Sequence, residues 1–358
     1  MTDTKKQKIH DIFDQAFPED PAWNKWFFDE VYDDAEAMIL DKEGNAVSSL
    51  LVNPYTFKYF GSDFRLAYIS GVATTRGQRG KGYMHELMTE ALHQIAEREY
   101  AMAAVVPATD HLYFFYDRFG FATVVYVDCE RYTSLHSFVT EPRFVPVEPT
   151  AADLRRLEGE RAIGVLHDDR QVRQILYDNM HERGCAVAVA DTTTVTDTNE
   201  VPRTVAIAFA VPSDHDEAVT VRSLWAEDEY AAEAVLALVR ERFSDRHFEV
   251  WAQPVNPRVR LRARAMLRII DVGKVLTATA AADRKAYQVI RVHDALIPAN
   301  NGVFFIKDGK CTRSDSTMRS LTLDVDISVL TTILFSDPKI GKIFGIPTDR
   351  PALPLMLD

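Results

Sequence analysis

The segment Tyr68-Ile69-Ser70-Gly71-Val72-Ala73-Thr74-Thr75-Arg76-Gly77-Gln78-Arg79-Gly80-Lys81-Gly82-Tyr83-Met84 constrains this chain more than any other. An apolar run with strand character enters a loop holding Gly77, Gly80 and Gly82. The loop opens a helix whose apolar residues Met84, Leu87, Met88, Ala91, Leu92 and Ile95 recur at helical spacing. Such a helix buries one face and is firmly held. Its N-terminus leaves about four backbone N–H groups unpaired beside a partial positive charge. Glycines let a pyrophosphate approach those groups closely, and Arg76, Arg79 and Lys81 add positive charge. A capped turn with solvated basic residues is the plainer alternative. The preceding strand, the basic cluster and the long helix together favour an anion site. The loop is neither G-x-x-x-x-G-K-[ST] nor G-x-G-x-x-G after a strand, which excludes the common nucleotide loops.

The elements around this loop give the fold class. Residues 7–40 read as helical, broken into two helices by Pro18 and Pro21. Ala46–Leu51 and Phe57–Tyr59 read as strands around an Asn53-Pro54 turn, followed by a strand at Leu66–Thr74. After the helix Met84–Glu97 come a strand at Ala101–Val106, a short helix at His111–Phe119 and a strand at Phe121–Glu130. Strand, helix, strand, helix, strand in that order implies an α/β unit with parallel pairing.

Composition shifts at Glu141-Pro142 and Glu148-Pro149, which suggests a linker. Helices at Ala152–Arg161 and Asp169–Arg183 follow, with strands at Ala186–Ala190, Val205–Val211, Ser223–Ala226 and Glu249–Ala252 and a helix at Tyr230–Phe243. Thr192–Pro202 is polar and reads as a turn or loop. This order loosely repeats the first unit without a glycine-rich loop. Beyond Ala265 the pattern becomes α+β, with strands at Met266–Asp271, Tyr287–Asp294, Gly302–Lys307 and Ser320–Asp326 and a helix at Ile327–Phe335.

Bulk properties narrow the function. A net charge of −12 argues against a nucleic-acid partner, because binding a polyanion needs a basic surface. It is compatible with a cationic substrate. Cys129, Cys185 and Cys311 are widely spaced and odd in number, and no H-E-x-x-H occurs. Met1-Thr2-Asp3-Thr4-Lys5-Lys6 leads into no signal-peptide core, and no run approaches the ~20 apolar residues of a membrane span. The expectation is a reduced, cytoplasmic, metal-free protein.

Val72 to Met84 resembles the acetyl-CoA signature of GNAT acyltransferases, R/Q-x-x-G-x-G/A, with Arg79 and Gly82 at its first and fourth positions. Met84 departs from the sixth, as it does in the subgroup of aminoglycoside-acetylating "enhanced intracellular survival" proteins. Phe115-Tyr116-Asp117-Arg118-Phe119-Gly120-Phe121 is similar to the GNAT segment whose tyrosine faces the CoA sulfur. The two markers are separated by the right distance for helix, strand and helix. The resemblance implies a cofactor site at Val72, Ala73, Thr74, Arg79, Gly80, Lys81, Gly82, Tyr83 and Met84, with acetyl-CoA as cosubstrate and no metal. It implies three parts: a catalytic GNAT domain at 1–140, a degenerate GNAT-like domain at 141–264, and a sterol-carrier-like domain at 265–358.

It further implies Tyr116 as general acid, although composition alone favours a packed aromatic there. A phenol of pKa ~10 donates to a thiolate of ~8.5 at a cost of about 2 kcal/mol. An alkylammonium near ~10.4 must lose a proton before attack, at about 4.6 kcal/mol at neutral pH. No carboxylate lies in Leu66–Thr75 to take it. In the subgroup the chain's terminal carboxylate enters the site, which carries over to Asp358; a water chain is the alternative. Trp23, Trp26 and Phe27, near Asp29 and Glu30, fall where the family's substrate-facing helices lie, or else form ordinary helix core. His85, His93 and His111 read as surface or capping residues. The expected reaction is direct acetyl transfer to a primary amine, small-molecule or peptidyl, in a chain free to form a homo-oligomer. The rival is a non-catalytic protein that binds or senses acyl-CoA or an apolar ligand.

Overall fold

The computed structural model describes residues 4–18, 20–195, 201–213, 217–244, 246–252, 261–316, 318–354 and 356. The chain divides into two compact units. One is built from the chain up to Val125 together with Arg264–Pro351, the other from Tyr126–Ala263 with the tail from Ala352.

The first unit opens with α1 (Lys5–Ala16), whose N-cap Thr4 accepts from the Gln7 amide, and α2 (Pro21–Trp26), capped by Asp20 with proline in its first turn. One π turn, Phe27–Val31, extends α2. The helical expectation for 7–40 ends early, because Ala37–Lys42 forms strand β1. A tight turn at Glu43-Gly44, both at positive φ, leads into β2 (Asn45–Tyr59). β2 runs unbroken where two strands and an Asn53-Pro54 turn were expected. Pro54 lies opposite Ala67 in the ladder, and the reversal comes instead at Phe60-Gly61, where both residues have positive φ. Neither reversal carries the Asn-Gly or Asp-Gly signal. β3 (Ser62–Thr74), α3 (Tyr83–Glu97), β4 (Met102–Val105) and α4 (Asp110–Asp117) follow.

β1, β2 and β3 are antiparallel, and β3 and β4 are parallel. The expected α/β unit is therefore a meander with one parallel crossover. α3 and α4 bury Leu87, Met88, Ala91, Leu92, Ile95 and Tyr116 against Leu50, Val52, Ala67, Ile69, Ala103 and Val105 of the sheet.

β5 (Ala122–Tyr132) carries the chain into the second unit. There the elements are β6 (Phe144–Val147), α5 (Ala151–Gly159), β7 (Ile163–Leu166), α6 (Asp169–His181), β8 (Cys185–Asp191), β9 (Arg203–Pro212), β10 (Ala218–Ala226), α7 (Glu229–Arg242) and β11 (His247–Ala252). β8, β9 and β10 are antiparallel, and β10 runs parallel to β11 after the α7 crossover. That is the order of β1, β2, β3, α3 and β4. Of the polar stretch Thr192–Pro202, residues 192–194 form a short 3-10 turn, and 196–200 lie outside the described residues. The tail returns to β7, where Ala352 pairs in parallel with Gly164.

β12 (Leu261–Ile269) leads back into the first unit at Arg264 and is antiparallel to β4 over Met266–Ile269. The 264/265 boundary therefore falls inside a strand. α8 (Val272–Ala282), an Ala- and Thr-rich helix that buries Val272, Val275, Leu276, Thr279 and Ala280, is an element the sequence analysis did not give. β13 (Gln288–His293), β14 (Gly302–Lys307), β15 (Lys310–Ser314), β16 (Leu323–Asp326), α9 (Ile327–Phe335) and α10 (Pro338–Phe344) complete it. The second sheet has the order β15-β14-β13-β16, with β16 parallel to β13. The Tyr59 hydroxyl is 2.9 Å from that of Thr279 on α8, and the Tyr59 ring lies 5.3 Å from Phe335 on α9. This layer packs directly on the β2–β3 hairpin.

Candidate active site

Two local features of β3 shape the site. The ladder to β2 shifts register between Ser49 and Leu51, producing a bulge at Gly71 with φ 57°. A methyl group at Gly71 would come within 3.0 Å of the Phe13 ring, and the positive φ strains any other residue, so glycine is favoured there. Pairing with β4 covers only Leu66–Tyr68 against Met102–Ala104, while β3 continues to Thr74. Beyond Tyr68 the strands part and leave β3 main-chain groups available to a ligand with amides of its own.

The loop after β3 is braced at its base. Ser48 and Thr74 hydroxyls lie 2.9 Å apart, Thr75 donates its amide to the Val47 carbonyl, and the Arg79 Nε donates to the Thr74 carbonyl at 3.1 Å. Arg79 thus folds the loop back on its own strand, a structural duty the sequence reading did not give it. Lys81 reaches Gln78 within the loop. The crest is open. Gly80 and Gly82 have φ 79° and 83°, and a methyl group added to either would meet nothing within 4 Å. Gly82 is the N-cap of α3, and no side chain caps that helix. The first-turn amides of Tyr83 and Met84 therefore start an uncapped helix in front of open space, the arrangement an anion needs. These residues fit a pyrophosphate. Tyr83 takes no part in the open crest on its ring face, where the Lys42 ammonium sits 5.7 Å from the centroid.

The second unit supplies a contrast. At the same topological point, between β10 and α7, Asp228 is the N-cap and its carboxylate accepts from the Ala231 amide at 2.7 Å. The protein itself fills with a negative charge the place left open at Gly82.

Tyr116 sits on α4 at 5 % exposure, edge-on to Phe115 and Phe121. Its hydroxyl makes no hydrogen bond to a described residue. Burial pushes its pKa up to about 12. For the phenol, burial widens the gap to the thiolate. Against an ordinary thiol at ~8.5 the uphill step becomes about 5 kcal/mol. Burial acts on a thiol in the same direction, as at Cys311, pushed up to about 11.

Trp23, Trp26 and Phe27 form one aromatic cluster. Phe27 stacks on Phe13 at 5.5 Å and on Trp23 at 4.9 Å, and Trp23 lies 5.9 Å from Trp26. Phe27 is buried at 1 %, so the half-buried Trp23 and Trp26 carry the accessible aromatic surface. Phe13 joins this cluster to the Gly71 bulge. The acidic residues nearby are partly committed, with Asp20 capping α2 and Asp29 held below the usual carboxylate range by Lys25.

His85, His93 and His111 are exposed. His93 bonds the Leu296 carbonyl at 2.8 Å and His111 the Thr109 hydroxyl at 3.1 Å. Asp358 lies outside the described residues. Of the apolar tail, Leu353 and Met356 are buried at 4 % each, while Leu355 and Leu357 lie outside the described residues. Among the described residues no group of three or more His, Cys, Asp and Glu side chains could hold a metal ion, and no helix is long and apolar enough to cross a membrane.

Residues 1–124 match the sequence pattern of the acetyltransferase (GNAT) domain family. This chain carries a GNAT acetyltransferase domain. No curated protein matches it in sequence. Among solved structures it is similar to a conserved protein of Enterococcus faecalis V583 described as a probable N-acyltransferase, with TM-score 0.78, 15% identity, and coverage of 98% of this chain and 96% of that one. It is similar to Eis1 of Mycobacterium abscessus, with TM-score 0.69, 18% identity, and 96% and 91% coverage. A GCN5-related N-acetyltransferase of Anabaena variabilis ATCC 29413 gives TM-score 0.73, 14% identity, and 98% and 93% coverage. At these identities the likeness is one of fold.

The GNAT domain's bulge at Gly71 and the bracing role of Arg79 were not read from the sequence. A glycine interrupting an apolar strand run was the available signal for the bulge.

Proposed function

We propose that the chain transfers the acetyl group of acetyl-CoA directly to a primary amine. The observation that carries this is the uncapped N-terminus of α3 at Gly82, open over a braced loop, in a GNAT domain whose β3 and β4 part beside it. Acetyl-CoA supplies the acyl group as a thioester. Main-chain amides at Gly80, Gly82, Tyr83 and Met84 would hold its pyrophosphate, and Val72, Ala73 and Thr74 its amide-bearing arm.

The reacting amine must arrive neutral. Its nitrogen forms a bond to the acyl carbon, the carbon–sulfur bond breaks, and the sulfur leaves as thiolate. Tyr116, protonated at neutral pH with its pKa near 12, returns a proton to that sulfur. The amine proton leaves to Asp358 or to water. Trp23 and Trp26 present ring faces that attract a cation, and the net charge of −12 favours its approach.

We read 141–264 as a degenerate GNAT-like domain, supported by the repeated order of β8 to β11 and by Asp228 in place of an anion. We read 265–358 as sterol-carrier-like, supported by its four-stranded sheet flanked by α8 and α9. Three free, half-buried cysteines accord with a reducing cytoplasm. A thermal-shift screen with acetyl-CoA, followed by thiol release with polyamines, aminoglycosides and lysine peptides, tests the reading. Stabilisation by acetyl-CoA without amine-dependent thiol release would replace it with the binding-protein reading.

A further inference from the structure

Arg268 interrupts the apolar run Met266-Leu267-Arg268-Ile269-Ile270. Strand alternation puts it on the face of Met266 and Ile270, where α3 and α4 pack. It is fully buried, at 0 % exposure. Its Nε donates to the Phe119 carbonyl at 2.6 Å, its Nη1 to the Ile269 carbonyl at 2.8 Å, and its Nη2 to Asp294 at 2.8 Å.

Asp294 is equally committed. Oδ1 also accepts from the Leu296 and Ile297 amides at 3.0 Å each, and Oδ2 accepts from the Asn300 side chain at 2.9 Å. The guanidinium therefore cannot swing away without stranding a buried carboxylate. Phe119, in turn, lies in the turn that closes α4: its amide donates to the Tyr116 carbonyl at 2.9 Å, and the Gly120 amide to the Asp117 carbonyl. Gly120 has φ 78°, and a methyl group there would sit 2.7 Å from Ile327 and 3.3 Å from Arg268.

A buried ion pair adds little net stability over an apolar pair of the same volume, so stability alone does not account for it. Its distinguishing property is geometric. The planar fork of arginine fixes two bonding directions at once, which neither lysine nor an apolar residue does. α4 has only eight residues and cannot hold its own end in place.

We infer that Arg268, clamped by Asp294, is a positioning residue that fixes the end of α4 and thereby places the Tyr116 hydroxyl for proton transfer. The inference rests on the reading of Tyr116 as proton donor. It means that the segment beyond Arg264 supplies part of the catalytic apparatus, although the family pattern stops at residue 124.

The test uses the full chain with Arg268→Lys, and with the charge-free pair Arg268→Met and Asp294→Leu in case the first fails to fold. Each is made with and without Tyr116→Phe. Carbon-13 labelling of the tyrosine Cζ reports ring environments by NMR, the Tyr116 signal being the one lost in Tyr116→Phe. The Tyr116 signal should move while that of Tyr59 stays. Thiol release from acetyl-CoA with spermine, neomycin and a lysine peptide should fall about tenfold or more, since a displaced donor costs rate steeply. Acetyl-CoA affinity should stay within about twofold, and without the Tyr116 hydroxyl the same substitutions should lower turnover by less than about twofold. An unmoved Tyr116 signal in a folded variant overturns the inference, as does an equal rate loss with and without the hydroxyl. If Tyr116→Phe alone keeps full turnover, the proton-donor reading fails, and the NMR signal still decides whether Arg268 places the ring.

Discussion

Asp228 and Gly82 hold the same position in two copies of one topology: each is the N-cap of the helix that crosses from an antiparallel meander to a parallel strand. Asp228 brings a carboxylate to its helix, and Gly82 brings nothing. Helix N-termini attract negative charge whoever supplies it. One unit satisfies its helix with its own carboxylate, and the other leaves its helix without a side-chain cap.

Gly82→Asp should convert the open terminus into the closed one. The carboxylate would occupy the anion's place, and acetyl-CoA affinity should fall at least about 100-fold, or about 2.7 kcal/mol. Left-handed backbone at this position costs an aspartate ~1–2 kcal/mol, so the fold should survive. Calorimetry and a melting curve measure both. Asp228→Ala should cost about 1 kcal/mol of stability, as cap losses do, and leave acetyl-CoA affinity alone.

Tyr116→Phe should lower kcat by about 10²–10⁴, the usual worth of general acid catalysis, with acetyl-CoA affinity nearly unchanged. Steady-state kinetics beside calorimetry separate the two. A parental rate would leave Tyr116 as packing.

The same residue makes a prediction about stability and pH. Burial raises its folded pKa from about 10 to about 12. Between those values the unfolded chain has lost the proton and the folded chain keeps it, so stability falls as pH rises. The contribution is complete below pH 10 and amounts to about 3 kcal/mol lost by pH 12. Denaturant titrations at pH 9 and 11.5 should show a smaller pH-dependent loss in Tyr116→Phe than in the parent. Equal losses in both would place the titration elsewhere.

The tail offers a structural test. A methyl group at Gly164 would sit 2.9 Å from the Ala352 carbonyl, so the close parallel bridge requires glycine. Gly164→Val should release the tail and expose it to carboxypeptidase. If the terminus is the base, as carried over to Asp358, that variant and deletion of Leu357 and Asp358 should both cut acetylation while acetyl-CoA still binds. Full activity in both would favour a water chain.

The loop, α3 and α4 were readable because local rules govern them: glycines, basic residues and a 3.6-residue apolar period lie within one short segment. β2 was misread at Pro54 because proline signals a turn more often than a strand, yet its backbone angle is compatible with extension. The bulge at Gly71 depends on Phe13, far away in sequence, and Arg79 turns back to Thr74 only once the loop has closed. Arg268 is the strongest case. In sequence it is one charge in an apolar strand, and its partners Phe119 and Asp294 become visible only in three dimensions.

The proposed function requires amine-dependent use of acetyl-CoA at the Gly82 site. Its most direct test is thiol release from acetyl-CoA across the amine panel, with the acetylated amine identified by mass spectrometry, in the parent and in Gly82→Asp. At least one amine should raise thiol release in step with its own acetylation, and Gly82→Asp should abolish both. Acetylation that persists undiminished in Gly82→Asp, or no amine-dependent release from a parent protein that binds acetyl-CoA, would contradict it.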